Sequence, residues 1–347
     1  MSKVHDTSQV VTYADAIKHA LEELMEADKK VIVYGLGVDD PNAMYGTLKG
    51  FPEKFGSHRC YDTPLSEDSL TGYGIGLAIQ GYKPIHVHQR TDFLLLAANQ
   101  LINMGAKISY LSEGKIRCPF VVRAITGRSW GQGAQHSQSF HSMFANIPGL
   151  RVLAPSTPAD AYNVYKNAFK DRIPTIVIEH RMLYKYQGII TAVDKVPNVS
   201  IVDRGSHVTV CSVSHMSLES KRAAMALLKK GLSCDHFSIV NISNPDIDVI
   251  YESAARTGKL LFVDHGWLNC SIAKSVVADL FIKGFRGDVM VLGYADSPCP
   301  TAGFLEKLFY PDSNSIAAVL MKLCGRSPGD APRIEQSTEI RDFRGPF

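Results

Sequence analysis

The sequence predicts an α/β fold of two domains, each built on a parallel sheet. Three observations carry that expectation. Short β-branched runs alternate with stretches of helical periodicity. The alternation lapses between residues 187 and 206 and then restarts. A chain of 347 residues is also long enough for two domains with a large buried core.

In the first half, "YADAIKHALEELMEAD" places apolar residues at helical spacing, and Thr12 stands before it as an N-cap. "KVIVYG" is a buried strand closed by a glycine. A glycine-punctuated helix is expected over 66–81, then the strand "KPIHVHQ", then a long helix from 92 to 112. "PFVVRA" and "TIVIEH" are two further strands. "QGIITAVDKVPNVSIVDRGS" has no clear period and reads as the link between domains. In the second half, "HVTVCSV", "CDHFSIVN", "KLLFVDH" and "DVMVLGY" are strands separated by helical segments near 216–230, 246–256 and 269–283. Such an order implies right-handed crossovers. The polar, aperiodic end "SPGDAPRIEQSTEIRDFRGPF" is expected to be flexible or to contact a partner. The boundaries that follow are 1–190, a link at 191–205, 206–326 and a tail at 327–347.

Composition excludes several classes. The net charge of +3 is too small for a nucleic-acid surface. No apolar run approaches the ~18 residues that span a membrane, and "MSKVHDTSQ" lacks a secretory apolar core. Seven scattered cysteines without a CxxC suit reduced thiols, not a disulfide framework or zinc. A cytoplasmic location is expected, or an organelle matrix after removal of a targeting segment.

The motifs need weighing one by one. "VIVYGLGVDD" begins like a dinucleotide turn, but Asp40 stands where the third glycine should fall. Gly72, Gly74 and Gly76 lie inside a helix and are better explained by close packing. His86 and His88 share one face of a strand, without a third metal ligand nearby. Glu67, ahead of "LTGYGIGLAIQG", either complements the helix dipole or is a partly buried acid able to donate a proton. Composition alone favours the dipole reading. His136 and His141 in "GAQHSQSFHSMFANIPG" are five residues apart and would not share a helix face, so joint metal binding is not expected.

"RCYDTPLSEDSLTGYGIGLAIQGYKPI", taken with "GAQHSQSF" and "NIPGLRVLAPSTPADA", resembles the beta subunit of thiamine-diphosphate-dependent 2-oxo acid dehydrogenases, the pyruvate and branched-chain enzymes. The resemblance is marked over residues 10–185 and looser to 325, where "LEKLFYP" is similar to the family's closing segment. It implies two α/β domains of transketolase type, a pyrimidine-binding domain and a C-terminal domain. It also implies that Glu67 bonds the cofactor's aminopyrimidine, favouring the imino tautomer that deprotonates the thiazolium carbon. Phe93 would pack on the pyrimidine and Gln89 would touch the cofactor. Their spacing of four would put both on one face if the helix begins early. His136 falls on the family's "HSQ" histidine, near the reacting carbon, whereas His141 matches no catalytic position and reads as a surface residue. Carbonyls near Ala168 and Asp171 match positions that hold a monovalent cation, K+, in some relatives.

The chain has "RGD" at 286–288 but lacks the "GDG" that such enzymes use to hold Mg2+ on the diphosphate. The expectation is therefore an alpha-type partner that completes the site and holds the Mg2+, in an alpha2beta2 assembly with contacts between beta chains. A lipoyl acyltransferase would accept the acyl group. Arg90 and Arg128 depart from the family pattern and are candidates for recognising an anionic substrate; surface salt bridges explain them equally well. A split transketolase or carboligase subunit, with no lipoyl complex, is the alternative. A catalytically silent subunit is a third reading, disfavoured because Glu67, Phe93 and His136 are all present.

Overall fold

The computed structural model describes residues 9–40, 42, 44–127 and 131–336. Its described residues form two compact units, one of 9–127 and 144–196, the other of 131–143 and 197–336.

The first unit contains, in order, β1 (Val10–Thr12), α1 (Tyr13–Ala27), β2 (Val31–Gly35), α2 (Phe51–Phe55), β3 (Cys60–Asp62), α3 (Glu67–Ile79), β4 (Lys83–His88), α4 (Ile108–Leu111) and β5 (Val121–Thr126). After α5 (His141–Ala145) come β6 (Arg151–Leu153), α6 (Pro158–Lys166), β7 (Thr175–His180) and β8 (Gln187–Ile189). Six strands form a parallel sheet in the order β3-β2-β4-β5-β7-β6, and β1 pairs antiparallel with β8. Thr12 caps α1 as expected, its hydroxyl accepting from the Asp15 amide at 3.1 Å. The face of α1 carrying Ala16, Ile17, Ala20, Leu21 and Met25 is buried, as the apolar spacing requires. Gly74 confirms the close-packing reading of α3: a Cβ there would lie 2.1 Å from the Tyr34 hydroxyl and 2.5 Å from Phe120.

The long helix expected at 92–112 is broken. Phe93–Ala97 is a 3-10 turn, Gln100–Gly105 a π-helix, and α4 a single short turn. The irregular winding keeps Leu94, Ala97, Leu101 and Gly105 all buried.

In the second unit, β9 (Val199–Asp203), β10 (Val208–Val213), α7 (His215–Leu228), β11 (Cys234–Ile239), α8 (Ile247–Thr257), β12 (Lys259–Trp267), α9 (Ile272–Ile282) and β13 (Asp288–Tyr294) precede α10 (Gly303–Phe309) and α11 (Ser313–Leu323). The sheet order is β13-β12-β10-β11-β9, parallel except for the antiparallel edge strand β9. Strands β8 and β9 both lie in the stretch read as the link between domains. Its polar alternation hides an edge strand, half of whose residues face solvent.

The near part of the tail is also ordered. Asn314 on α11 clasps Ile334 from both sides, accepting from its amide at 2.8 Å and donating to its carbonyl at 2.9 Å. Ala331 and Ile334 pack on the apolar cluster beneath α7 and α11. Residues 337–347 of the expected tail lie outside the described residues.

Candidate active site

The sheet of the first unit places the candidate residues. Leaving β2 the chain runs to β3 on one side, while β4 lies on the other and leads away to β5. A parallel sheet opens a crevice outside its carboxyl edge where the connections diverge in this way. Close approach at that edge depends on Gly35, the last residue of β2. Its φ is +136°, and a Cβ there would fall 2.3 Å from the Val87 carbonyl oxygen on β4.

Glu67 follows β3 and is the first residue of α3, half-buried. Among the described residues its carboxylate has neither a hydrogen bond nor an ion pair. Position at the helix start satisfies the dipole reading, and the unpartnered carboxylate leaves Glu67 available to a ligand. Asp62, at the end of β3, accepts from the Val38 amide at 3.0 Å and ties down the loop after β2.

Gln89 and Phe93 follow β4. Their spacing is not a helical turn: Gln89 is exposed in a bend after the strand, and Phe93 opens the 3-10 turn, half-buried. The intervening chain is pinned by the Thr91 amide donating to the Ile125 carbonyl at 2.9 Å. Both side chains still stem from the carboxyl end of β4.

Beneath them His86 and His88 form a buried pair, with His88 Nε2 3.1 Å from His86 Nδ1 and the His86 ring stacked on Tyr34 at 4.7 Å. Burial drives the His88 imidazole down to about 3, and burial together with His88 holds His86 well below its usual value. Two neutral rings thus floor this edge. No metal cluster of three His, Cys, Asp or Glu occurs among the described residues.

Arg90 is 7% exposed, which removes the surface salt-bridge reading; its Nη1 donates to the Gly127 carbonyl at 3.2 Å. Arg128 lies outside the described residues. The Ala168 carbonyl and the Asp171 carboxylate are both engaged by Arg151, whose Nη2 donates to Ala168 O at 2.9 Å, whose Nη1 pairs with Asp171 and whose Nε donates to Thr175 Oγ1 at 3.0 Å. Arg151 thus sits on the Ala168 carbonyl, whereas at Asp171 it meets the carboxylate and not the backbone carbonyl. "RGD" is a turn ahead of β13, where Arg286 donates to the carbonyls of Phe281 and Phe285 at 2.6 and 2.8 Å.

His136 belongs to the stretch 131–143 and is half-buried in a turn. His141 is not a surface residue: it is 2% exposed, with Nε2 2.8 Å from Asp264 Oδ1 and Nδ1 2.9 Å from Ser139 Oγ. Sequence reasoning missed this contact because Asp264 lies far along the chain, at the end of β12. It also missed Arg123 and Glu179, buried in strands β5 and β7 that read as apolar. A charged residue inside each of "VVRAIT" and "TIVIEH" was the available signal.

Comparison with known proteins agrees with this geometry. Residues 9–187 match the transketolase pyrimidine-binding domain, and residues 198–316 match the transketolase C-terminal domain. The chain is thus a transketolase-type protein of two α/β domains. It is 33% identical over 327 residues to a mitochondrial pyruvate dehydrogenase E1 component subunit beta-1 of Arabidopsis thaliana, covering 91% of this chain and 90% of the relative. It is 35% identical over 329 residues to the 2-oxoisovalerate dehydrogenase subunit beta of Bacillus subtilis, covering 90% and 98%. Within its class the chain belongs to the family of 2-oxo acid dehydrogenase E1 beta subunits. A split-gene transketolase, solved as an inactive beta4 tetramer, shares the fold with a TM-score of 0.73 at 19% identity, over 91% of this chain and 98% of that one. No helix among the described residues is long and apolar enough to cross a membrane.

Proposed function

We propose that the chain is the beta subunit of a thiamine-diphosphate-dependent 2-oxo acid dehydrogenase and contributes the pyrimidine half of its active site. The observation that carries this reading is the unpartnered carboxylate of Glu67 at the carboxyl edge of a transketolase-type pyrimidine-binding sheet. Thiamine diphosphate, when bound, supplies the carbon nucleophile and the electron sink for decarboxylation. Glu67 would hold a proton at the pyrimidine ring nitrogen, in a hydrogen bond strengthened by exclusion of water. Phe93 would supply an apolar ring face to the pyrimidine and Gln89 a neutral hydrogen-bonding group. His136 would exchange a proton with the substrate or bond its carboxylate.

Among the described residues there is no cluster of three His, Cys, Asp or Glu for the diphosphate's Mg2+. An alpha-type subunit would hold that ion and complete the site, in an alpha2beta2 assembly. The acyl group would pass to a lipoyl carrier. Anionic 2-oxo acids belong among the substrates to be tried, since Arg128 departs from the family pattern.

The test is co-expression with an alpha-type subunit encoded nearby, followed by turnover of pyruvate, branched and anionic 2-oxo acids. The complex is expected to decarboxylate at least one of them, and Glu67→Gln to lower kcat by about 10²–10⁴-fold with assembly intact. Activity confined to ketose donors would favour a split transketolase. Unchanged turnover in Glu67→Gln would remove the basis of the assignment, as would tight thiamine-diphosphate binding with Mg2+ and full turnover by the isolated chain.

A further inference from the structure

His141 belongs to a buried chain of side chains that the proposed chemistry does not use. Tyr294 Oη lies 2.8 Å from His265 Nε2, and His265 Nδ1 lies 3.4 Å from Ser139 Oγ. Ser139 Oγ is 2.9 Å from His141 Nδ1, and His141 Nε2 is 2.8 Å from Asp264 Oδ1. All five residues are buried and all belong to the second unit.

The Asp264 carboxylate accepts, so His141 Nε2–H donates to it. Tyr294 Oη lies 3.2 Å from His265 Nδ1 as well, so it faces both ring nitrogens of His265. Asp264 Oδ2 accepts from the Ala273 amide at 3.3 Å in the first turn of α9, which fixes the carboxylate and with it the His141 ring.

The same stretch is held at both ends. A Cβ on Gly133 would lie 2.6 Å from Thr301 Oγ1, so this backbone runs directly against Thr301. Ser142, beside His141, accepts from the Ile272 amide at 3.0 Å. His136 lies between these anchors, and its side chain goes where the anchored backbone takes it.

The geometry points to His141 as a positioning residue for His136: Asp264 and Ser139 lock its ring, and the ring sets the path of residues 133–141. The inference rests on the reading of His136 as a site residue, but its test does not. In the full-length 15N-labelled chain, ring-nitrogen spectra should show His141 with a proton on Nε2, the atom facing Asp264. His141→Ala should move the ring signals of His136, and His141→Gln, which keeps a donor for Asp264, should restore them. In the active complex, His141→Ala should lower kcat by about ten- to a hundredfold through misplacement, with KM changed much less and His141→Gln recovering part of the loss.

A folded His141→Ala chain with wild-type His136 signals would overturn the inference, as would a His141 ring with no proton on Nε2. If His141→Ala does not fold, Ser139→Ala removes a single oxygen from the middle of the chain. It should shift His136 as well, and unchanged signals there are equally decisive. A complex that turns over no 2-oxo acid would defeat the functional proposal, while the spectra still decide the coupling.

Discussion

Replacing Arg123 by methionine should destabilise the first unit more than almost any other single change. Arg123 and Glu179 are both 0% exposed, with Nε 2.5 Å from Oε1 and Nη2 2.9 Å from Oε2. Tyr184 donates to Oε2 at 2.6 Å and Tyr165 donates to Oε1, so four donors converge on one carboxylate. Burial works against the guanidinium charge and Glu179 works for it; the net displacement of the Arg123 pKa is upward. Methionine fills similar volume but leaves Glu179 charged and without a counter-ion. Removing one member of a buried pair costs about 3–5 kcal/mol. At about 2–4 °C per kcal/mol for a unit of this size, Tm should fall by roughly 6–20 °C. Differential scanning calorimetry of the full chain at neutral pH would measure it. The double variant Arg123→Met with Glu179→Gln removes the stranded charge and keeps an acceptor for a tyrosine, so it should recover at least half of the loss. A single variant melting within about 2 °C of wild type, or a double variant no better than the single, would refute the reasoning.

Acid should weaken the chain in a defined window. Burial brings His88 to about 3, burial and Lys221 bring His236 to about 3, and His86 lies well below 6.5. Each is therefore neutral when folded but binds a proton when unfolded below pH 6.5. Stability should be fully present above that value and fall as the pH drops toward 3, by up to about 1.4 kcal/mol per pH unit for each histidine. Denaturant titrations across this range would show it, and His88→Gln should flatten the slope. Arg151 already engages the Ala168 carbonyl, so replacing K+ by choline at constant ionic strength should leave Tm unchanged. A filled site at a hundred times its Kd would add about 2.7 kcal/mol, or roughly 5–11 °C, and a K+-specific rise of that size would contradict the arginine's role.

Local patterns carried much of this structure. Thr12 begins α1 because a hydroxyl before an amphipathic run has an amide to accept from, a relation contained within four residues. Strand β2 is a continuous apolar run because both faces of a parallel sheet are covered. The helix expected over 92–112 failed for the opposite reason, since the packing of Leu94, Leu101 and Gly105 dictated its winding. Strand β9, inside the link, was not legible because a half-exposed edge strand has no strong periodicity. Motif resemblance singled out Glu67, Gln89, Phe93 and His136 as candidates, but not the bend that carries Gln89 or the buried arginine below Ala168.

The sequence by itself determined the alternation of strand and helix, the transketolase-type pair of domains and the motif that carries Glu67. Each of these is written in the order or spacing of residues close along the chain. Only the tertiary structure decided that His141 is buried on Asp264, that Arg123 meets Glu179, and that Arg151 takes the oxygens of Ala168 and Asp171. Those partners are separated by 123, 56 and about 20 residues, and for the first two low-dielectric burial makes the pairing obligatory once the fold brings the groups out of water. No local pattern records which distant charge or hydroxyl will be waiting there.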